Sequence, residues 1–333
     1  MEIKHKNWLI TGGCGFIGVN LIKTLKELSP DINIRVLDNF SVGTPEDLKE
    51  VTEFKLLKLE DIKGPPKGIE VVQGDIRDFE TVKKALEGID VVVHLAANTG
   101  VEPSIKNPRL DLESNVIGTF NLLEAAREKG VKKFIFASSN APLGKATPPV
   151  NEETAPKPIS PYGASKLACE GYCLAYYNTF GVETIVLRFG NVYGPYSHKK
   201  NSVIAKFIKR ALKGEPLEIY GDGTQTRDFI YVKDLVNAII LAANSNIGGE
   251  IFQIATFKET TVAEIAEKVR KLVKEILNKD VEIVYTQPRK GDMKRNYANI
   301  EKAKKLLGYQ PKYSLEAGIK ETILYFLEKF KNG

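Results

Sequence analysis

The stretch Thr11-Gly12-Gly13-Cys14-Gly15-Phe16-Ile17-Gly18 constrains this chain more than any other. It ends a short apolar run, Asn7 to Thr11. It precedes a segment, Val19 to Leu28, in which Leu21, Ile22, Leu25 and Leu28 recur at helical spacing. Strand, glycine loop and helix in that order open a parallel sheet wound with helices. Gly12 and Gly13 permit a tight turn, Gly15 lets a pyrophosphate approach the backbone, and Gly18 lets the helix pack on the strand. The helix N-terminus then offers its free N–H groups to phosphates. A second strand, Ile34 to Leu37, ends at Asp38, twenty residues beyond Gly18. An acid at that point accepts hydrogen bonds from both hydroxyls of an adenosine ribose and repels a 2′-phosphate, which argues for NAD over NADP. The plainer reading, a glycine-rich turn and a surface acid, is the weaker one because spacing and context both match the dinucleotide loop.

The units that follow repeat the pattern. Phe40 to Lys67 is polar, contains Pro65-Pro66, and reads as a connection with one short helix. Glu70 to Gln73 is a third strand, followed by Gly74-Asp75-Ile76; Asp75 either meets an adenine amino group or caps the helix from Phe79. Asp90 to Leu95 is almost wholly apolar, as a buried parallel strand should be. Ala96-Ala97 follow it and are small enough for a nicotinamide ribose to lie against, while His94 reads as a packed histidine. Asn107 to Lys129 reads as one long helix. Its Leu110, Val116, Ile117, Phe120, Leu122 and Leu123 leave little polar surface, which suits packing against another subunit. Lys133 to Ala137 is the fifth strand, with Ser138-Ser139 at its C-terminal edge, and Glu183 to Arg188 is the sixth. Six such units make an α/β fold, a Rossmann-type doubly wound parallel sheet.

Between the fifth and sixth strands, five prolines from Pro148 to Pro161 form a rigid run into Tyr162-Gly163-Ala164-Ser165-Lys166. The segment Leu167 to Phe180 reads as a helix, so Tyr162 and Lys166 project from one face of its first turns. A tyrosine beside an ammonium ionises more readily and becomes a proton acceptor for an alcohol. A lone pair at this spacing is more often surface chemistry; the glycine loop and sheet reverse that weighting.

Composition excludes several classes. The 333 residues are 43% hydrophobic and carry a net charge of +6. Basic and acidic residues interleave, as from Glu267 to Lys274, so they read as solvated helix faces and not as a nucleic-acid stripe. No apolar run approaches a membrane span, and Lys4 to Asn7 is too abrupt for a signal sequence, so a cytoplasmic location is expected. Cys14, Cys169 and Cys173 lack metal-ligand spacing with histidine, and no metal is expected.

The C-terminal part is organised differently. Asn191 to Thr226 leaves the sheet and holds an apolar helix, Val203 to Leu212, and Phe229 to Ala243 returns to it. Thr261-x-x-Glu264 is a capping box before a stripe through Ile265, Val269, Leu272, Val273 and Ile276. Ile300 to Leu307 and Ser314 to Phe330 read as further helices. The expected division is a cofactor domain of residues 1–190 and 228–256, and a smaller, discontinuous α/β substrate domain of residues 191–227 and 257–331.

Several motifs taken together resemble one family. They are Thr11 to Gly18, Val36 to Ser41, His94 to Ala97, Asn115-Val116-x-Gly118-Thr119, Tyr162-x-x-x-Lys166 and Arg188 to Pro195. To these are added Gly221-Asp222-Gly223-x-Gln225-x-Arg227-Asp228-Phe229-Ile230 and Arg289-x-Gly291-Asp292. The chain resembles the extended short-chain dehydrogenases/reductases, specifically nucleotide-sugar epimerases of the UDP-glucose 4-epimerase type. The resemblance implies a Tyr162 base, a Lys166 that binds the nicotinamide ribose and lowers the tyrosine pKa, and an assisting Ser139. It implies NAD contacts from Gly12, Gly15, Phe16, Ile17, Gly18, Asp38, Asn39, Asp75, Ile76, Leu95, Ala96, Ala97 and Asn115. It implies substrate contacts from Ser139, Asn191, Asn201, Arg227, Arg289 and Asp292, with the two arginines on the diphosphate of a UDP-sugar. A homodimer through the helices from Asn107 and Tyr162 is also implied.

The implied reaction is epimerisation at C4 through a 4-keto sugar. Relatives that dehydrate or decarboxylate place acids just after the serine, where this chain has Asn140 and Ala141. Leu143 stands where members commonly have tyrosine, and Asn296 where some carry a bulky tyrosine, which leaves room for an N-acetyl group at C2. A C6 carboxylate would want a cation, and His198, Lys199 and Lys200 lie in the right loop. The competing readings are another nucleotide-sugar reaction on the same scaffold, such as decarboxylation, dehydration or keto-sugar reduction, and a catalytically silent NAD-binding regulator.

Overall fold

Eight parallel strands form the central sheet of the computed structural model, which describes residues 2–288 and 293–331. In chain order they are β1 (Asn7–Thr11), β2 (Asn33–Asp38), β3 (Lys55–Leu57), β4 (Ile69–Gln73), β5 (Val91–His94), β6 (Lys133–Ser139), β7 (Thr184–Phe189) and β8 (Glu250–Ile254). Across the sheet the order is β8-β7-β6-β5-β1-β2-β4-β3. The winding reverses between β1 and β5, and the crevice beyond the C-terminal ends of those strands is where such sheets take their ligands.

Alternation along each strand splits the core into two. Trp8 and Ile10 of β1 face the same side as Val91, Val93, Ile185 and Leu187, against Ile22 and Leu25 of helix α1 (Phe16–Leu28). Leu9 faces the other side with Val92, Phe134, Phe136 and Val186, under helices Phe79–Ala85, Gly118–Lys129 and Pro161–Phe180. The first face runs unbroken into the C-terminal part. Phe207 and Ile208 of helix Val203–Lys213, and Ile265, Val269 and Val273 of helix Val262–Leu277, belong to the same apolar cluster. The capping box forms as expected: Glu264 N–H donates to Thr261 Oγ1 (3.1 Å), and Thr261 N–H donates to Glu264 Oε2 (2.7 Å). Outside the main sheet, Asn191–Tyr193 pairs with Phe229–Tyr231, Leu217–Tyr220 with Ile283–Thr286, and Thr226–Arg227 with Thr260–Thr261.

Three expectations are corrected. The connection from Phe40 to Lys67 contains helix Pro45–Lys49 but also β3, which pairs with β4. Lys55 and Leu56 are exposed there, so an edge strand of three residues carries no apolar alternation to read. β8 adds a further strand, making eight in place of six. The long helix is not continuous: Val101–Lys106 and Pro108–Asp111 lead into a π turn at Leu112–Ile117 before Gly118–Lys129. Gly118 abuts Ile76, whose Cδ1 would lie 2.5 Å from an added Cβ, and the wider turn before it carries Asn115 into the interior. All three cysteines are buried. Among the described residues no helix is long and apolar enough to cross a membrane, and no His/Cys/Asp/Glu group could hold a metal.

Candidate active site

The glycine loop is shaped by contacts that leave no room for side chains. Gly12 has φ +67°, and a Cβ there would lie 2.9 Å from the Ala96 backbone nitrogen. A Cβ on Gly18 would lie 2.5 Å from Gly13 Cα, so the helix packs on the turn itself, and one on Gly15 would sit 3.2 Å from the Gly12 carbonyl. No side chain caps α1 and no acid lies in its first turn. The N–H groups of Phe16 and Ile17 therefore face the crevice as an anion cradle.

Asp38 ends β2 buried, its two oxygens taking the N–H of Cys14 (3.0 Å) and of Phe40 (2.9 Å). Burial raises its pKa and those hydrogen bonds oppose the shift. Each oxygen keeps acceptor capacity for a ribose hydroxyl. Asp75 does not cap the next helix; Asp78 does, accepting from Glu80 N–H (3.1 Å). Asp75 is gripped by Arg77, which with burial opposing holds its carboxyl down at about 2, and Asn39 Nδ2 donates to it (3.3 Å). Ile76 is buried, and its carbonyl accepts from Asn121. Leu95, Ala96 and Ala97 continue β5 half-buried along the crevice.

His94 locks that crevice from beneath. It is buried, and burial holds its pKa well below the ordinary value, so the ring is neutral. Thr119 spends its hydroxyl proton on Asn115 O (2.6 Å), so it accepts from His94 Nε2 (3.0 Å). Nδ1 then accepts from Thr11 Oγ1 (2.7 Å), which in turn accepts Ala96 N–H (3.2 Å). One chain of bonds thus fixes the tautomer and ties β1 to β5. Asn115 is also buried: it takes Asn98 N–H (2.8 Å), and its Nδ2 reaches Asn98 O, Asp111 Oδ1 and Ser165 Oγ. Its contacts join the turn after Ala97 to the Tyr162 helix.

That helix spans Pro161–Phe180, capped by Ser160 Oγ accepting Gly163 N–H (3.1 Å). Gly163 presses on β6's extension: a Cβ there would lie 2.6 Å from the Ala141 carbonyl oxygen. The close approach brings the Tyr162 phenol near the Ser139 hydroxyl, which favours the phenolate, while Ser139 Oγ takes Ala141 N–H (3.2 Å). Lys166 is buried, its Nζ donating to Ala137 O (2.8 Å), 4.7 Å from the Phe136 ring centre and 6.0 Å from that of Tyr162. The expected lowering of the tyrosine pKa is absent in the chain alone. Burial pushes Tyr162 up to about 12, the Ser139 hydroxyl only partly opposing it, and the lysine ammonium is committed to a carbonyl. Burial also lowers the Lys166 pKa.

Sequence reasoning missed the floor of this cluster. One turn past Lys166, Glu170 accepts from Ser138 Oγ (2.6 Å) and takes a two-pronged bond from Arg188 (2.9 and 2.7 Å), with all three residues buried. The helix is thereby clamped to β6 and β7 just below Ser139. It also missed Gly43, whose Cβ would fall 2.1 Å from Cys14 O, so that the loop after β2 lies directly on the glycine loop.

The residues expected to meet a substrate are less gathered. Asn191 is exposed, and its N–H donates to Asp228 O (2.8 Å), which keeps it beside Arg227. Arg227 Nη1 donates to Thr226 O (2.7 Å) and Met293 O (2.8 Å). Asn201 is exposed and accepts from Lys209 Nζ (3.2 Å). Arg289 and Asp292 lie outside the described residues. Asn140 is buried beside Ser139, its Nδ2 3.5 Å from Asn296 Oδ1 and its own oxygen without a protein partner among the described residues. Asp47 lies within reach of His198 (3.7 Å) and holds the Lys199 ammonium, while Lys200 lies over Phe16 (5.3 Å to the ring centre). All three basic groups thus engage the glycine-loop side, a direction that their place in the loop left open.

Comparison with known proteins identifies the chain's family. Residues 8–255 match the model of the NAD dependent epimerase/dehydratase family. The structure of UDP-glucose 4-epimerase from Thermotoga maritima, with UDP-glucose, superposes with a TM-score of 0.86 at 37% identity, covering 97% of this chain and 99% of that one. UDP-glucuronate 4-epimerase of Thermodesulfobacterium geofontis is 34% identical, with 97% of each chain covered. UDP-N-acetyl-alpha-D-glucosaminuronate decarboxylase of Bacillus cytotoxicus is also 34% identical, over 97% of this chain and 98% of the relative.

Proposed function

The chain belongs to the NAD-dependent epimerase/dehydratase family, and we propose that it interconverts the C4 epimers of a UDP-hexose. The observation that carries this reading is the Ser139–Tyr162–Lys166 cluster beside the glycine loop, with amide and methyl side chains, Asn140 and Ala141, where an acid would favour dehydration or decarboxylation. Epimerisation needs only one proton acceptor and a reversible oxidant.

The residues present fit NAD: close-packed Gly12, Gly15 and Gly18 leave the backbone of Phe16 and Ile17 bare for the diphosphate, and Asp38 suits the adenosine ribose. Gly12, Gly15 to Gly18, Asp38, Asn39, Asp75, Ile76 and Leu95 to Ala97 would hold it, with Tyr162 and Lys166 at the nicotinamide end and Asn115 supporting the turn. Bound NAD supplies a two-electron acceptor for the hydrogen on C4 and a cationic ring that favours a nearby phenolate. Tyr162 takes the proton of the sugar 4-hydroxyl, and Ser139 holds that oxygen and the phenol in one line. Lys166, fixed on Ala137 O, orients the ribose. The sugar must present its opposite face before the proton returns, so Arg227, Arg289 and Asp292 hold the nucleotide while the hexose turns. Asn191 and Asn201 border that space. Residues 1–190 and 228–256 serve as the cofactor domain, and 191–227 and 257–331 as the substrate domain. Leu112, Ile117, Phe120, Tyr172 and Phe180, exposed on two neighbouring helices, support a homodimer through that face.

Incubating the protein with catalytic NAD and, separately, UDP-glucose, UDP-N-acetylglucosamine and UDP-glucuronate, then resolving products by proton NMR, tests the reading. A C4 epimer without carbon dioxide or net NADH is expected. Release of carbon dioxide from the uronate would move the assignment to decarboxylation. Saturable NAD binding without turnover of any nucleotide sugar would make the chain a silent NAD-binding protein.

A further inference from the structure

Lys199 and Lys200 are adjacent and are used differently. The Lys199 ammonium is held by Asp47, the residue that completes the capping box of helix Pro45–Lys49. Lys200 is half-buried with Nζ over the Phe16 ring, and among the described residues no carboxylate pairs with it. Burial alone displaces its pKa, downward. Lys200 lines one small cavity with Cys14, Gly15, Phe16 and Gly43.

The loop that carries it is pinned. Its N–H donates to Ser197 O (2.9 Å), its carbonyl accepts from Lys209 Nζ (2.7 Å), and Asn20 of α1 donates to Pro195 O (3.0 Å). A half-buried ammonium with no carboxylate beside it is stabilised by an anion at its open side. The anion that belongs at this end of α1 is the dinucleotide diphosphate, and the uncapped N–H groups meet it with dipoles but no full charge.

We propose that Lys200 is a positioning residue for the cofactor, its ammonium pairing with the diphosphate of bound NAD. The inference rests on the reading of the glycine loop as the NAD cradle. Lys200 also adjoins Asn201, so an occupied cradle steadies the loop that borders the sugar.

The test is calorimetric titration of cofactor-stripped protein with NAD, ADP-ribose and adenosine, for the wild type, Lys200→Met and Lys200→Arg, at low and high salt. The methionine variant should bind NAD and ADP-ribose about tenfold more weakly, bind adenosine unchanged, and lose part of the salt dependence. The arginine variant should recover most of the loss. Wild-type affinity for ADP-ribose in Lys200→Met overturns the inference. An equal loss for adenosine also overturns it, because the lysine would then be holding the loop and not the phosphates. A wild-type protein that binds neither NAD nor ADP-ribose would overturn the cradle reading itself.

Discussion

At the proposed cofactor end of the site, Gly12, Gly18 and Asp38 lie within one contiguous β1-α1-β2 unit. At the proposed sugar end, Asn191, Asn201 and Arg227 come from segments that leave the sheet. Apart from the Asp38 carboxylate, the first end is made of backbone: glycines leave out side chains, and a methyl added at Gly12 or Gly18 collides with main-chain atoms. The second is made of polar side chains that reach outward and are separately replaceable. An end built by close approach should fail by losing its shape, and an end built by reach should fail by losing affinity. Tyr162 stands where the two meet.

The largest effect should come at that junction. Tyr162→Phe removes the proposed proton acceptor and should lower kcat by about a thousandfold while leaving NAD binding intact. Near-native turnover would remove Tyr162 from its role. The same variant serves as the blank in an ultraviolet titration. Because the cofactor-free chain holds the phenol at about 12, above the ordinary value near 10, the neutral form persists further up the pH scale. The difference spectrum should show no Tyr162 phenolate below about pH 10. A phenolate near neutrality without cofactor would mean that the protein alone activates it.

Gly18→Ala comes next. Its methyl would meet Gly13 Cα and the Gly13 and Gly12 carbonyl oxygens, so the loop must shift. A loss of about 1–3 kcal/mol in stability is expected, with weakened NAD binding, read by thermal denaturation with and without cofactor. An unchanged midpoint would show that the cradle yields, and would blur the contrast between the two ends. Arg227→Ala should be the smallest of the three: KM for the nucleotide sugar rises about tenfold, with kcat and the melting point nearly unchanged. A comparable collapse of stability would put Arg227 among the shape-determining residues, a reading its bonds to the Thr226 and Met293 carbonyls make worth excluding.

The same contrast explains what was legible in the sequence. The glycine loop and Asp38 could be read because the residues that touch are near in sequence and each glycine has a steric reason. β3 could not, since Lys55 to Leu57 is short, at an edge, and half solvated. The break at Leu112–Ile117 was invisible because a π turn keeps an apolar pattern while changing which side chains point inward, Asn115 among them. Lys200 could be placed in a loop but not aimed. Its direction follows from Lys199 meeting Asp47, 152 residues away, and from Asn20 meeting Pro195. The burial that raises the Tyr162 pKa in the cofactor-free chain was likewise not legible from helical spacing, nor was the bond from the ammonium four residues on to the Ala137 carbonyl of β6.

The position of β8 has a consequence for how the protein is made. β7 ends at Phe189, and its outer neighbour is Glu250–Ile254, so everything from Gly190 to Gly249 must be synthesised before the sheet gains its last strand. A nascent chain that has just released β7 therefore carries an open parallel edge, with Arg188 waiting for Gln253 beside it. The insertion that carries the proposed sugar end is thus also a timer. The sheet gains this strand only after the ribosome has delivered helix Val203–Lys213 and helix Val232–Asn244.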